Sequence, residues 1–535
     1  VTSIRLCLPV VFTTLVLLCA WSTPARSDAA AAAVQGLGDA GFAAKADLLQ
    51  TIGASGEPRA RAVLTALLDG ELQVRKADGV VVVAAPADGG FALADPLSGE
   101  ALGNAGRFDL KRIPINNTLR TQLRGLIARL SLKDPDADVR RAAVRALYES
   151  IDADTMALLR ERLPTERDGG VRDAIEVGIA LGDLGAGDDA ARIEAAGRLA
   201  TSVEPVVRAR LNALAQDATQ SQAVRDAARV ARARSETRVS LYGAAETAFF
   251  GLSLGSVLLL AAIGLAISFG VMGVINMAHG EFLMLGAYTT FVVQQWVPVD
   301  WSLPVAIPLA FLVAGAVGVL LERGLIRFLY GRPLETLLAT FGVSLILQQV
   351  VRSVFTPLNR QVATPSWMSG SWQINPALSL TWTRLYVVLF ALAVFLGLLA
   401  LLRYTRFGLE LRAVSQNRAM ARALGVRSAR VDALTFGLGA GVAGVGGVAL
   451  SQLTNVGPNL GQGYIVDAFL VVVFGGVGNL WGTLTAALTL GVANKLMEPW
   501  VGAVLAKILV LVFIILFIQR RPRGLFPQRG RAVEA

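Results

Sequence analysis

The chain has 535 residues, of which 54% are hydrophobic, and its mean hydropathy of +0.55 excludes a wholly soluble protein of this length. Its formal charge of +10 invites a nucleic-acid reading, but residues 1–247 carry 30 Lys+Arg against 31 Asp+Glu, while 248–535 carry 20 against 9. The basic excess belongs to the apolar half, where membrane topology accounts for it, and no nucleic-acid partner is expected.

The amino terminus reads Arg5, an apolar run from Leu6 to Ala20, and a small-residue exit ending Ala25-Arg-Ser27. That pattern predicts a secretory signal peptide over 1–27, with an uncleaved anchor as the alternative. Cys7 and Cys19, the only cysteines, both lie within it. The mature chain is therefore expected to hold no disulfide and no thiolate metal site.

Residues 28–235 are expected to form a soluble, mainly α-helical domain. An Ala-Arg-rich motif recurs at Val139–Leu147, Val171–Ile175, Val207–Leu211 and Val224–Ala228, a spacing suited to stacked helix pairs resembling HEAT-like repeats. Such a stack commonly presents a binding surface; an ordinary helical domain without a partner is the other reading. Residues 71–112 break the pattern. Val80–Val83 is a β-branched run followed by Gly- and Pro-containing turns, which predicts a small β insert. No histidine or cysteine and no catalytic grouping of side chains occurs in this region, and 236–247 is expected to be a linker.

From 248 to 518 the chain reads as a polytopic helical membrane domain with eight or nine membrane segments. They lie near 248–271, 282–298, 303–321, 336–355, 384–402, 432–454, 464–479, 481–497 and 501–518. The shorter ones are candidates for broken or re-entrant helices. Arginines concentrate in 322–335, 403–431 and the tail 519–535, which assigns these to the cytoplasm. Tracing back puts the domain before residue 248 outside, in the periplasm of a bacterial inner membrane.

Two stretches carry most of the functional information. Ile275–Tyr288 (INMAHGEFLMLGAY) holds Asn276, Glu281 and the chain's single histidine, His279. Ionisable groups at membrane depth are costly and mark pathways or interior packing, so these three are candidates for lining or gating. Their placement at the cytoplasmic end of two segments offers the alternative that they fix a turn. With no second imidazole, a metal site is not expected. The second stretch, Arg412–Val426 (RAVSQNRAMARALGV), predicts one short amphipathic helix with Ala413, Met420 and Leu424 on one stripe and Arg418 and Arg422 on another face. It suits docking into a groove of a cytoplasmic partner or lying on the membrane surface. No Gly-x-x-x-x-Gly-Lys-Ser/Thr occurs, so ATP hydrolysis by this chain is not expected.

INMAHGE (Ile275–Glu281), TLLATFGVSLILQQ (Thr336–Gln349), the Arg412–Val426 stretch and VFGGVGNLWGTLTAA (Val473–Ala487) together resemble the LivH-type permeases of the branched-chain amino acid/amide ABC importers. Pro365–Trp382 and the large amino-terminal domain resemble the Urt-type urea permeases. The resemblance implies a transport subunit without catalytic residues or cofactors. It also implies as partners a second homologous permease, two cytoplasmic ABC ATPases, a periplasmic substrate-binding protein and the lipid bilayer. The Arg412–Val426 stretch becomes the ATPase-coupling helix, with Arg412, Asn417, Met420, Leu424 and Gly425 as its residues. Urea is the expected substrate, and Gln348, Gln349, Asn455 and Asn494 are candidate contacts because a carboxamide both donates and accepts. The alternative is import of branched-chain amino acids or short amides, which calls for charge. Asp467, Lys495 and Glu498 lie at segment ends and could supply that charge, with salt pairing or interfacial anchoring as the favoured reading. A membrane sensor is a remote alternative, since only the short tail follows the last segment.

Overall fold

The structure, a computed structural model, describes residues 24–87, 90–186 and 188–526. The expected signal segment therefore lies outside the described residues except for Pro24–Ser27, and so does the tail after Phe526. The chain divides into two compact units, Val1–Arg238 and Val239–Ala535.

The first unit opens with three helices, α1 (Pro24–Gly36), α2 (Phe42–Ala54) and α3 (Ala60–Asp69). Five short strands follow, β1 (Leu72–Arg75), β2 (Val81–Ala87), β3 (Gly90–Ala94), β4 (Ala101–Ala105) and β5 (Leu110–Arg112). They form one antiparallel sheet in the order β4-β3-β2-β1-β5. Helices α4 (Asn117–Ser131), α5 (Ala137–Ala146), α6 (Ala153–Arg162), α7 (Gly169–Ala186), α8 (Asp189–Leu199) and α9 (Pro205–Gln216) complete it. Side chains start several of them: Asn116 accepts from Leu119 N, Asp152 from Thr155 N and Asp188 from Ala191 N, satisfying amides that the first turn leaves free. The recurring motif works by alternation. Val171, Ile175, Val207, Leu211, Val224 and Ala228 are fully buried, while the intervening arginines stay at the surface. Among the described residues Glu166 is the most enclosed acid of this unit, at 4% exposure. It receives Nε and Nη2 of Arg140 at 2.9 and 2.8 Å, the amides of Arg167 and Asp168, and Nη2 of Arg162.

Helix α10 (Gln222–Met272) carries the chain from the first unit into the second. The segment expected as a linker, 236–247, is helical along its whole length. It contains no proline, and its alanines, glutamates and arginine favour helix over coil.

The second unit contains α11 (His279–Val293), α12 (Val299–Gly324), α13 (Pro333–Phe355), α14 (Trp382–Tyr404), α15 (Arg406–Gln416), α16 (Arg418–Ala423), α17 (Ser428–Ser451), α18 (Leu460–Gly475), α19 (Leu480–Val501) and α20 (Ala503–Arg520). A hairpin, β6 (Ser371–Asn375) and β7 (Leu378–Thr381), precedes α14, with Trp372 stacked on Trp382. Nine apolar helices thus stand at the nine expected segments. Only six of the described helices are both long and apolar enough to cross a membrane: α10, α12, α13, α14, α17 and α20. With 15 and 16 residues, α11 and α18 reach about 22–24 Å at 1.5 Å per residue, short of a core roughly 30 Å thick.

Helices α11 and α17 are buried on almost every side, whereas α13, α14 and α20 expose leucines and other apolar side chains outward. Small residues let the central helices approach backbone to backbone. A Cβ on Gly286 would overlap the Gly444 carbonyl, and one on Gly447 would overlap the Leu283 carbonyl. The glycines and alanines spaced four apart on α17 are therefore packing residues.

Hydrogen bonding from Arg140, aided by the two backbone amides and Arg162 and opposed by burial, holds the Glu166 carboxyl down at about 2. A depressed carboxylate contributes stability that is complete above its unfolded-state value and is lost as pH falls through the folded one. We therefore expect Glu166→Gln to lower stability at neutral pH and to flatten the acid sensitivity between about 4.5 and about 2. Thermal unfolding of the purified chain across that range checks this; parallel curves for both proteins would contradict it.

Candidate functional site

The polar centre of the membrane unit is built by a break in α10 and by the short helix that follows. Gly273, at φ +69°, ends α10, and Val274–Ala278 continues without helical structure. Backbone in such a segment needs partners that lipid does not offer. The amide of Met277 donates to Thr340 Oγ1 at 3.0 Å, and that of Ala278 donates to Asn276 Oδ1 at 3.0 Å.

This segment returns the chain to the middle of the bundle. His279 Nε2 lies 3.0 Å from the carbonyl of Ala261, so that nitrogen carries the proton, since a carbonyl only accepts. Ala261 stands midway along the apolar part of α10, and a Cβ on Gly264 would press both the Gly439 backbone and the His279 ring. Glu281 Oε1 accepts from Ser344 Oγ at 2.9 Å and from Gln348 Nε2 at 2.8 Å, and Ser344 is the central residue of α13. The expectation that His279 and Glu281 sit at a cytoplasmic helix end is thereby corrected. Their partners, Ala261 for His279 and Ser344 for Glu281, stand near mid-length of the apolar part of α10 and of α13.

The start of α18 meets the start of α11 at the same level. Cβ atoms on Gly280 and Gly461 would each collide with the other's backbone. The loop before α18 is held by Arg360 and Val456, which exchange backbone hydrogen bonds of 2.7 and 2.8 Å, and by Arg352 Nη2 on Asn459 Oδ1 at 2.6 Å. Two short helices thus begin side by side, next to the Glu281 cluster.

Sequence reasoning found only Gln348 of the α13 contribution. The structure adds Thr336, Thr340 and Ser344, all buried with Gln348. Their spacing of four residues, a polar stripe on an otherwise apolar helix, was the available signal. Within this cluster two polar atoms have no partner among the described residues, Glu281 Oε2 and Asn276 Nδ2. A buried carboxylate oxygen without a donor is costly, and this one adjoins other polar groups, an arrangement that accepts an ammonium or a hydroxyl.

The remaining candidates do not join it. Gln349 is exposed on the outward face of α13 with Leu345, Ile346 and Val350, Asn455 is exposed in the loop before α18, and Asn494 is half-buried on α19. One residue of shift along α13 separates Gln348 from Gln349 and turns the latter outward. Lys495 pairs with Glu498 at 2.6 Å and Lys507 with Asp467 at 2.9 Å.

The Arg412–Val426 stretch is two helices, not one. Asn417, at φ −147° and ψ 97°, ends α15 and caps α16 by accepting from Met420 N at 2.9 Å. The break also divides the expected apolar stripe. Ala413 is half-buried, whereas Met420 and Leu424 are 57% and 78% exposed. Arg418 and Arg422 face their own chain: Arg418 makes two bonds to Asp432, at 2.6 and 2.9 Å, and Arg422 Nε donates to Ser428 Oγ at 2.7 Å. Arg418 also covers the ring of Tyr330, whose hydroxyl donates to Glu322 at 2.7 Å. Burial first, then that bond, pushes the Tyr330 phenol up, keeping it a donor. Arg412 donates to the Leu402 carbonyl, and Gly425 turns the chain at φ +87°. The result is a braced platform that offers Met420 and Leu424 outward.

Residues 247–518 match the family described as the branched-chain amino acid transport system permease component. The chain belongs to this family. It is 34% identical over 290 residues to the high-affinity branched-chain amino acid transport system permease protein LivH of Salmonella typhimurium, covering 52% of this chain and 93% of that protein. To LivH of Escherichia coli K12 it is 32% identical over 289 residues, with the same coverage. To BraD of Pseudomonas aeruginosa it is 30% identical over 288 residues, 51% of this chain and 93% of that protein. No solved structure gives a significant match. The family is a permease component of branched-chain amino acid type ABC transporters, a transport subunit and not an enzyme, and it works with ATPase and substrate-binding partners at the membrane.

Asp432 is 1% exposed and has Arg418 as its ion-pair partner. Asp432→Asn should therefore cost about 2 kcal/mol or more, since it leaves the arginine facing an uncharged buried amide. The thermal midpoint of the purified chain measures this, and an unchanged midpoint would show that the pair does not brace α16.

Proposed function

We propose that this chain forms half of the pathway of an ABC importer for branched-chain amino acids, with the cluster of Glu281, Ser344 and Gln348 contacting the substrate. The observation that carries this is the buried Glu281 carboxylate with one oxygen unpartnered. Urea, neutral and planar, needs no fixed charge, so the carboxamides proposed for it suffice without a carboxylate. An amino acid brings an ammonium that pairs with Glu281, and the helix N-termini at Gly280 and Gly461 suit its carboxylate. The names of the LivH and BraD relatives favour the same substrate over the urea expected from the Pro365–Trp382 resemblance.

In this reading a second homologous permease completes the pathway, and a periplasmic binding protein delivers the substrate. The first unit lies in the periplasm as a stacked-helix domain behind the 1–27 signal peptide, and the arginine-rich loops face the cytoplasm of the inner membrane. Of two ATPases, one docks on the platform of Arg412, Asn417, Met420, Leu424 and Gly425, whose exposed apolar tips suit a protein groove. His279 and Asn276 position the chain break.

Uptake of labelled leucine and of labelled urea, in cells with and without this gene, tests the substrate. Deletion should abolish the leucine component and leave urea uptake intact, and Glu281→Gln should reduce leucine uptake roughly tenfold, the loss of about 1.4 kcal/mol. Loss of urea uptake with leucine transport retained would overturn the proposal. Replacing Met420 and Leu424 together by glutamate should reduce transport by a similar factor with membrane yield unchanged, because both side chains are solvent-facing; full transport by that variant would remove the docking role.

A further inference from the structure

A groove of about 580 Å³ runs between α12, α14 and α17, lined by Phe311, Leu312, Val319, Leu401, Leu434 and Leu438. Gly315 and Gly437 line it where α12 and α17 pack backbone to backbone: a Cβ on either would press the other's carbonyl. Thr405 is the one polar residue of the lining. The groove opens sideways between spans, so hydrocarbon, not water, is its natural filling.

One end of this groove is ringed by arginines. Arg323 follows Val319 by one turn of α12, Arg430 precedes Leu434 by one turn of α17, and Arg406 stands between Thr405 and Phe407, both lining residues. Residues four apart share a helix face, so the guanidinium groups continue the lining stripes beyond their apolar part. All three are exposed. Among the described residues Arg406 and Arg430 make no ion pair or side-chain hydrogen bond, and Arg323 approaches only its neighbour Glu322, at 3.6 Å. Other arginines of this unit do find partners, as Arg418 does on Asp432 and Arg352 on Asn459, while Arg427, Arg520, Arg521 and Arg523 share the unpaired state among the described residues. What distinguishes Arg323, Arg406 and Arg430 is that they adjoin the groove lining. An apolar channel capped by unpaired cations matches one molecule that bears both a long hydrocarbon chain and a phosphate.

We propose that this groove binds an anionic phospholipid, with an acyl chain along Leu312, Val319 and Leu438 and its headgroup among Arg323, Arg406 and Arg430. A transmembrane helix of another subunit would cover the apolar part but would leave the three cations unanswered. Basic pockets between spans are the places where anionic headgroups are held, and each guanidinium presents a planar fork that fits phosphate oxygens.

The full chain, reconstituted in nanodiscs of equimolar phosphatidylglycerol and phosphatidylcholine and then released into mild detergent, tests this by mass spectrometry of the retained lipid. The wild type should retain phosphatidylglycerol in preference, and the double variant R406Q/R430Q should lose that preference roughly tenfold. Both arginines are exposed, so folding should survive; Ala316→Trp, which plugs the groove from an exposed lining position and leaves the arginines in place, provides a second variant and should also lose the lipid. Equal retention of both lipids by the wild type, or unchanged preference in either folded variant, overturns the proposal. So does an efficient disulfide between Leu312→Cys and a cysteine on the companion permease, which would make the groove a subunit interface.

Discussion

Every polar backbone group inside the membrane unit must find a partner without water, and the architecture follows from how that constraint is met where helix stops. The chain leaves helical geometry at Gly273 and resumes it at His279. Between those points its amides are answered by Thr340 and Asn276. The arrangement also needs the next short helix to begin close by, and the glycine pair Gly280 and Gly461 permits it, since any side chain at either position would force the two backbones apart. Polar side chains then gather where this backbone irregularity requires them. Glu281, Ser344 and Gln348 are thus both structural and available for chemistry.

The two informative stretches share one construction. In each, an asparagine stands where helix is interrupted and answers a backbone amide just ahead of it. Asn276 accepts from Ala278 and Asn417 from Met420. The first interruption turns side chains into the bundle; the second turns Met420 and Leu424 out of it. The Arg418–Asp432 pair and the Tyr330–Glu322 bond fix the second platform to spans α12 and α17. A push on the exposed tips of α16 therefore has a rigid connection to the helices that surround the polar centre.

Much of this was legible in the sequence. Apolar runs located the nine apolar helices of the membrane unit to within about five residues, except at the start of α10, which begins at Gln222 and not near 248, because hydropathy over a long window averages out local detail. The arginine-and-alanine motif marked buried Val and Ile positions, and the β-branched run at Val80 marked strands. Depth was not legible. Linear order places His279 after the end of one segment, and only the return of Val274–Ala278 through the bundle carries it level with Ala261. Helix continuity was misread at Asn417 because periodicity alone does not register a cap, and at 236–247 because a change of composition is not a change of conformation. Gln348 and Gln349 are alike as residues; one helical step decides that the first meets Glu281 while the second faces outward.

The central claim is that Glu281 and its partners on α13 contact an amino-acid substrate at mid-depth. After Cys19 the chain holds no cysteine, so Ser344→Cys introduces a single thiol into the polar cluster. Its rate of modification by a small cationic thiol reagent, measured in the assembled transporter with and without leucine, tests the claim most directly. The account predicts that leucine slows modification and that urea at the same concentration does not. A rate unaffected by leucine would contradict it.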